Sequence, residues 1–166
     1  MVEGMLNGED RLRRAVRRLR WIADDYDREK EEAQRRETEA AERKARVARG
    51  WRTLKAKRQQ ILGEVNSALK ETGFKLHMSS DIGVLKDDEI DYLLIDFRGK
   101  EHPTLGQMRL RVALKQDGMV VADVITDTKW RRLRRVTYEE FTLDAWRDLL
   151  VEHLDMASSE EDDQTE

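Results

Sequence analysis

The feature that most constrains this chain is a ladder of uncharged residues at strict seven-residue spacing: Leu12, Leu19, Tyr26, Ala33, Ala40, Val47, Leu54, Ile61 and Ala68. A strand alternates every two residues and cannot generate this pattern. A helix with one narrow seam against another helix does. A second row, four residues on, is apolar at Val16, Ala23, Trp51 and Val65 but charged at Lys30, Glu37, Lys44 and Arg58. Together the rows define an oligomerisation seam of Leu12, Val16, Leu19, Ala23, Tyr26, Ala33, Ala40, Val47, Trp51, Leu54, Ile61 and Val65.

The ends of this helix are legible. Asn7 is placed to cap it, and Glu9 and Asp10 put negative charge in the first turn, where the helix dipole favours it. Lys70 and then Gly73 mark the stop, because glycine takes the left-handed conformation that closes a helix. No proline intervenes. Gly50 and Gly63 are the weak points, each costing about 1 kcal/mol relative to alanine, and a kink at Gly50 is the main threat to one continuous helix.

Charge decides how such a helix pairs. Residues 43–58 hold eight bases and no acid, whereas the stretch from Asp24 to Glu32 is acidic. A parallel dimer stacks each block on its own copy. An antiparallel pair opposes them, setting Leu19 against Val65, Ala23 against Ile61 and small Ala33 against large Trp51. The expected partner is therefore the chain itself, antiparallel, or another protein's helix.

After Gly73 the period changes to two. Phe74, Leu76 and Met78 alternate with polar residues, Ile90–Phe97 reads as a second strand, and Met108–Lys115 as a third with one wet face. A three-residue loop, Gln116-Asp117-Gly118, then pairs Leu114 with Val120, Val112 with Ala122, Leu110 with Val124 and Arg111 with Asp123, satisfying both faces. A short fifth strand is expected at Val136–Tyr138. Thr142 caps a last helix whose apolar face is Trp146, Leu149, Leu150 and Leu154.

The expected fold class is α+β: a long N-terminal coiled-coil helix followed by a small head of four- to five-stranded antiparallel meander covered by helices. The expected divisions are a flexible N-terminus at 1–8, a coiled-coil rod at 9–60, the head at 61–156 and a disordered acidic tail at 157–166. This order resembles the RWD-type heads that some kinetochore proteins carry on coiled coils. The single proline, Pro103, leaves no place for the proline–tyrosine signature of many such domains, so no residue role is carried over.

The composition excludes several kinds of chemistry. There is no cysteine, hence no disulfide and no thiolate metal site. His77, His102 and His153 have no metal-ligand spacing, and the scattered glycines never form a phosphate loop. No apolar run approaches the ~18 residues of a transmembrane helix, and no signal peptide opens the chain. The expectation is a cytoplasmic, non-enzymatic protein without catalytic residues, metal or cofactor. One weak pointer to a metal-dependent nuclease remains, Asp127-Thr128-Lys129 with Asp96 at another strand end. The acidic run Asp87, Asp88, Glu89 and Asp91 reads as a solvated loop.

Basic clusters suggest surfaces. Arg11, Arg13, Arg14, Arg17 and Arg18 crowd the first turns of the helix. Lys129, Arg131, Arg132, Arg134 and Arg135 surround Trp130. Arginines neutralise phosphates or clamp acidic partners, and an adjacent tryptophan can stack on bases. The function expected is thus an adaptor or assembly subunit with a docking rod and a partner-binding head. A nucleic-acid-binding accessory protein is the alternative.

Overall fold

The computed structural model describes residues 7–79 and 84–162. It divides into two compact units, Met1–Arg43 and Lys44–Glu166. The expected N-terminal flexible segment and the end of the expected tail lie largely outside the described residues.

The first unit is helical. Helix α1 runs Gly8–Thr53, crossing into the second unit after Arg43. Its first turn is tied down by the Arg11 N–H donating to the Asn7 carbonyl at 3.3 Å. Ion pairs Arg28–Asp25, Arg36–Glu32 (3.5 Å) and Arg35–Glu39 (3.9 Å) link residues three or four apart on the same face.

The second unit is a layered α+β structure. Helix α1 ends at Thr53, Leu54 interrupts it, and α2 runs Lys55–Ala68. The interruption falls four residues beyond Gly50, the weak point of the sequence reading. Gly50 itself is helical and serves a different purpose: a Cβ there would lie 2.2 Å from the Tyr138 hydroxyl, so only glycine lets that side chain approach. A 3-10 turn over Lys70–Thr72 ends at Gly73, which takes the expected left-handed conformation at φ 79°.

Five antiparallel strands follow as a meander: β1 Phe74–Ser79, β2 Glu89–Gly99, β3 Arg109–Lys115, β4 Met119–Ile125 and β5 Trp130–Thr137, in spatial order β1-β2-β3-β4-β5. All four β3–β4 pairs read from the turn chemistry are present, and Gly118 is left-handed at φ 83°. The fifth strand is longer than Val136–Tyr138 and begins at Trp130, so the basic cluster is itself a strand. Tyr138 lies outside it, in a 3-10 turn. Helix α3, Leu143–Asp162, is capped by the Thr142 hydroxyl, which accepts from the Ala145 N–H at 3.2 Å. It continues helically through the first residues assigned to the tail, with Ala157 buried.

The core lies between one sheet face and the helices. Leu93, Ile95, Leu110, Val112, Leu114, Val120 and Val124 form the sheet side. Trp51, Ile61, Leu62, Trp146, Leu149 and Leu150 form the helical side. Here the twelve-residue seam divides. Val47, Trp51 and Ile61 are buried in this core, and Val65 packs against it. Val47, Trp51 and Ile61 cannot also line an intermolecular seam, because burial in the core already removes them from water. The antiparallel pairing that opposed Leu19 with Val65 and Ala23 with Ile61 is therefore ruled out. The compact unit correspondingly begins at Lys44, taking in residues assigned to the rod.

Asn66 joins α2 to the outer strand. Its Nδ2 donates to the Leu76 carbonyl at 2.8 Å, and its Oδ1 accepts from the Leu76 N–H at 2.7 Å. The side-chain amide thereby takes the place of a sixth strand at that position of β1, satisfying both backbone groups of a buried residue.

Candidate interaction surfaces

With the second half of the seam absorbed, what remains open is the first half. Leu12 is 64% exposed, Val16 41%, Leu19 65% and Tyr26 66%, all at seam spacing on α1. Trp21 and Ile22 are likewise exposed beside them, as are Ala23, Ala33 and Ala40 further along the stripe. Singly exposed apolar residues are ordinary, but a contiguous row of large ones on one helix marks an interaction surface. Leu54, at the helix break, is half-buried.

The arginines of the first turns flank this stripe. Arg11, Arg13, Arg14, Arg17, Arg18 and Arg20 are all exposed, and none of their side chains forms an ion pair or hydrogen bond with a described residue. They sit three and four residues apart from one another, a spacing that sets like charges against each other.

The second basic cluster is dispersed by strand geometry. On β5, Trp130, Arg132 and Arg135 oppose Ile125, Asp123 and Val121 on the face away from the helices. Arg131 and Arg134 oppose core-facing Val124 and Ala122. A bulge between Ala122 and Asp123 accommodates Leu133. Two of the four arginines are already paired, Arg132 with Asp123 at 3.1 Å and Arg134 with Glu152 of α3 at 3.2 Å. Arg131 and Arg135 have no ion pair among the described residues. Trp130 is exposed with the Arg132 guanidinium 5.0 Å from its ring centre, and Lys129 precedes it in the turn. Because β5 is a terminal strand, this charge also blunts an edge that could otherwise pair with another chain.

The acidic run does not behave as a solvated loop. Glu89 opens β2 with its carboxylate buried, bound by Arg111 at 2.8 and 2.5 Å and by Lys115 at 3.3 Å, while Asp88 takes Lys115 at 3.0 Å. Burial alone would raise the Glu89 pKa, but the hydrogen bonds from Arg111 and Lys115 outweigh it and hold the group at about 2. Arg111 thus faces Asp123 in register but spends its guanidinium on Glu89, leaving Asp123 to Arg132. It also lies 4.6 Å over the ring of buried Tyr92, on the sheet face away from the core.

The residues of the nuclease pattern do not converge. Asp96 lies on β2, bound to His77 (3.3 Å) and Arg98 (3.3 Å). Asp127 lies in the turn after β4, whose Ile125 is two strand spacings, about 10 Å, from Asp96 with Arg109 between. Among the described residues no three His, Asp or Glu side chains are grouped to hold a metal, and no helix is long and apolar enough to cross a membrane.

Two buried polar side chains escape sequence reasoning. Arg58 occupies the charged seam row, which reads as wet, yet it is buried in the core. Its guanidinium lies 3.9 Å over the Trp51 ring, and its Nη2 donates to the Trp51 carbonyl at 2.8 Å, capping the last turn of α1 where the helix breaks. Burial lowers its pKa to about 10 against the opposing influence of Tyr138 and Asp91. The Arg58 carbonyl in turn accepts from the Trp146 indole at 3.1 Å, and Phe141 packs on both tryptophans. His153 on α3 is fully buried with its ring 5.1 Å from Phe97, and neither ring nitrogen has a hydrogen-bond partner. The signal for His153 was its place on the apolar face of α3, seven residues after Trp146. Arg58 left no such signal.

No protein-family model, curated protein or solved structure matches the chain.

Proposed function

We propose that this chain is a non-enzymatic adaptor or assembly subunit. The N-terminal part of α1 docks on a helix, and the sheet unit offers a second surface for a partner. The exposed stripe of Leu12, Val16, Leu19 and Tyr26 carries this reading, since a helix gains nothing from large apolar side chains at heptad spacing unless something covers them. The test compares the full chain with a Leu12→Ser, Leu19→Ser, Tyr26→Ser variant. Docking predicts unchanged melting of the sheet unit, whose core these residues do not enter, together with loss of assembly mass in light scattering and of co-purifying proteins from source cells. An unchanged mass and an unchanged set of partners would refute it.

A second reading, nucleic-acid binding, is favoured by exposed Trp130 beside Arg132 and by the unpaired Arg131 and Arg135. It predicts binding of a single-stranded oligonucleotide that weakens steeply with salt and is lost on replacing Arg131, Arg132, Arg134 and Arg135 with alanine. Binding that survives that replacement removes β5 as the surface.

A further inference from the structure

We propose that the helix covering the α1 stripe belongs to a second copy of this chain, running antiparallel and centred near residue 21. The inference rests on the docking reading above and names its partner. Residues 11–20 contain six arginines and no acid. All six side chains lack a described partner, and they crowd the first turns, where the helix dipole already disfavours positive charge. Such a segment calls for negative charge from outside. The same chain carries it one step further along: Asp24, Asp25, Asp27, Glu29, Glu31 and Glu32, against only Arg28 and Lys30. Asp25 and Glu32 are held within the helix by Arg28 and Arg36, whereas Asp24, Asp27, Glu29 and Glu31 have no ion pair among the described residues.

Antiparallel pairing brings the stripe together and sets most of the basic block level with the acidic one in a single register. Val16 faces Tyr26 and Leu19 faces Ala23, each layer repeated by the two-fold axis, with Ile22 beside its own copy. Arg11, Arg13, Arg17 and Arg18 come level with Glu31, Glu29, Asp25 and Asp24, a block-to-block attraction, while Arg14 comes level with Arg28 and Arg20 lies near its own copy at the two-fold axis. Leu12 falls level with Lys30, whose aliphatic stem can cover it. A parallel pair would instead stack six arginines on six. The register uses only residues of the first unit, so it asks for nothing from Val47, Trp51 or Ile61, which the core has taken.

The absence of native cysteine makes the orientation directly readable. Full-length Val16→Cys and Tyr26→Cys chains, one bearing a mass tag, are oxidised separately and as an equimolar mixture. The proposed register gives a disulfide dimer of unlike chains in the mixture and none in either variant alone. Residue 16 and its own copy would be about ten residues, or ~15 Å, apart along the pair, beyond disulfide reach. Cross-linking of each variant with itself overturns the antiparallel arrangement. So does a wild-type chain that sediments as a 19.6 kDa monomer at tens of micromolar with an uncross-linked mixture. A monomer whose partners still depend on Leu12, Leu19 and Tyr26 removes the second copy but leaves docking standing. A monomer whose partners ignore that stripe removes both. Reversing Arg13, Arg17 and Arg18 to glutamate should weaken dimerisation at least about tenfold. Mixing that variant with one carrying Asp24→Arg, Asp25→Arg and Glu29→Arg should restore it.

Discussion

Mild acid should loosen the sheet unit mainly through one side chain, His153. It is 0% exposed against Phe97, and no acceptor or donor meets either ring nitrogen. Burial pushes its pKa down from 6.5 to about 4. The unfolded chain therefore binds a proton between these values that the folded chain refuses, and stability falls as pH drops through that window. At 1.36 kcal/mol per pKa unit, the total loss is about 3 kcal/mol, of which about 2 kcal/mol has gone by pH 5. Glu89 does not confuse the measurement. Its pKa is lowered from 4.5 to about 2, so its contribution is present above 4.5 and is lost mainly below pH 4.5. The assay is urea unfolding followed by tryptophan fluorescence at pH 7.5, 6.5, 5.5 and 5.0. Wild type should lose about 2 kcal/mol across the series, and His153→Met, which fills similar space without a titrating group, should lose under about 0.5 kcal/mol. A variant with the same pH slope as wild type would show that the acid sensitivity lies elsewhere, and a wild-type slope near zero would show that the imidazole finds a partner when charged.

Three further outcomes follow from the packing. Gly50→Ala regains about 1 kcal/mol of helix propensity but sets the new methyl group against the Tyr138 hydroxyl, for a net cost of about 0–2 kcal/mol, and Tyr138→Phe in the same chain should raise the thermal stability of the alanine variant. Asn66→Ala leaves the N–H and carbonyl of buried Leu76 without their side-chain partner and should cost about 2 kcal/mol, with faster amide exchange at Leu76 as the local signature. Glu89→Gln leaves Arg111 and Lys115 without their shared carboxylate. It should lower stability at pH 7 by about 1–3 kcal/mol and shrink the stability loss that wild type shows between pH 4.5 and 2, leaving the last part of the His153 loss.

Features that rest on local chemistry are legible in the residues alone. The β3–β4 register follows from the left-handed glycine at 118 and from side-chain parity, since a one-residue slip turns every apolar residue outward. Gly73 and Thr142 mark helix ends through their own backbone and hydroxyl, and Trp146, Leu149 and Leu150 share one helical face wherever that helix lies. Tertiary structure decided what covers each face. The heptad ladder treats Leu19 and Val47 alike, because periodicity says that a stripe is apolar and not what it meets. The core takes in Val47, Trp51 and Ile61 and leaves Leu12, Leu19 and Tyr26 in water. Folding likewise buried Glu89 under Arg111, a partner 22 residues away whose hydrogen bonds compensate lost hydration, and a pairing of that kind leaves no periodic trace. It also buried Arg58 over Trp51, one heptad earlier in the same charged-looking row, which periodicity alone could not assign to the core. The open half of the ladder, with its unpaired arginines, was written in the sequence, but only the fold separated it from the half that had become core.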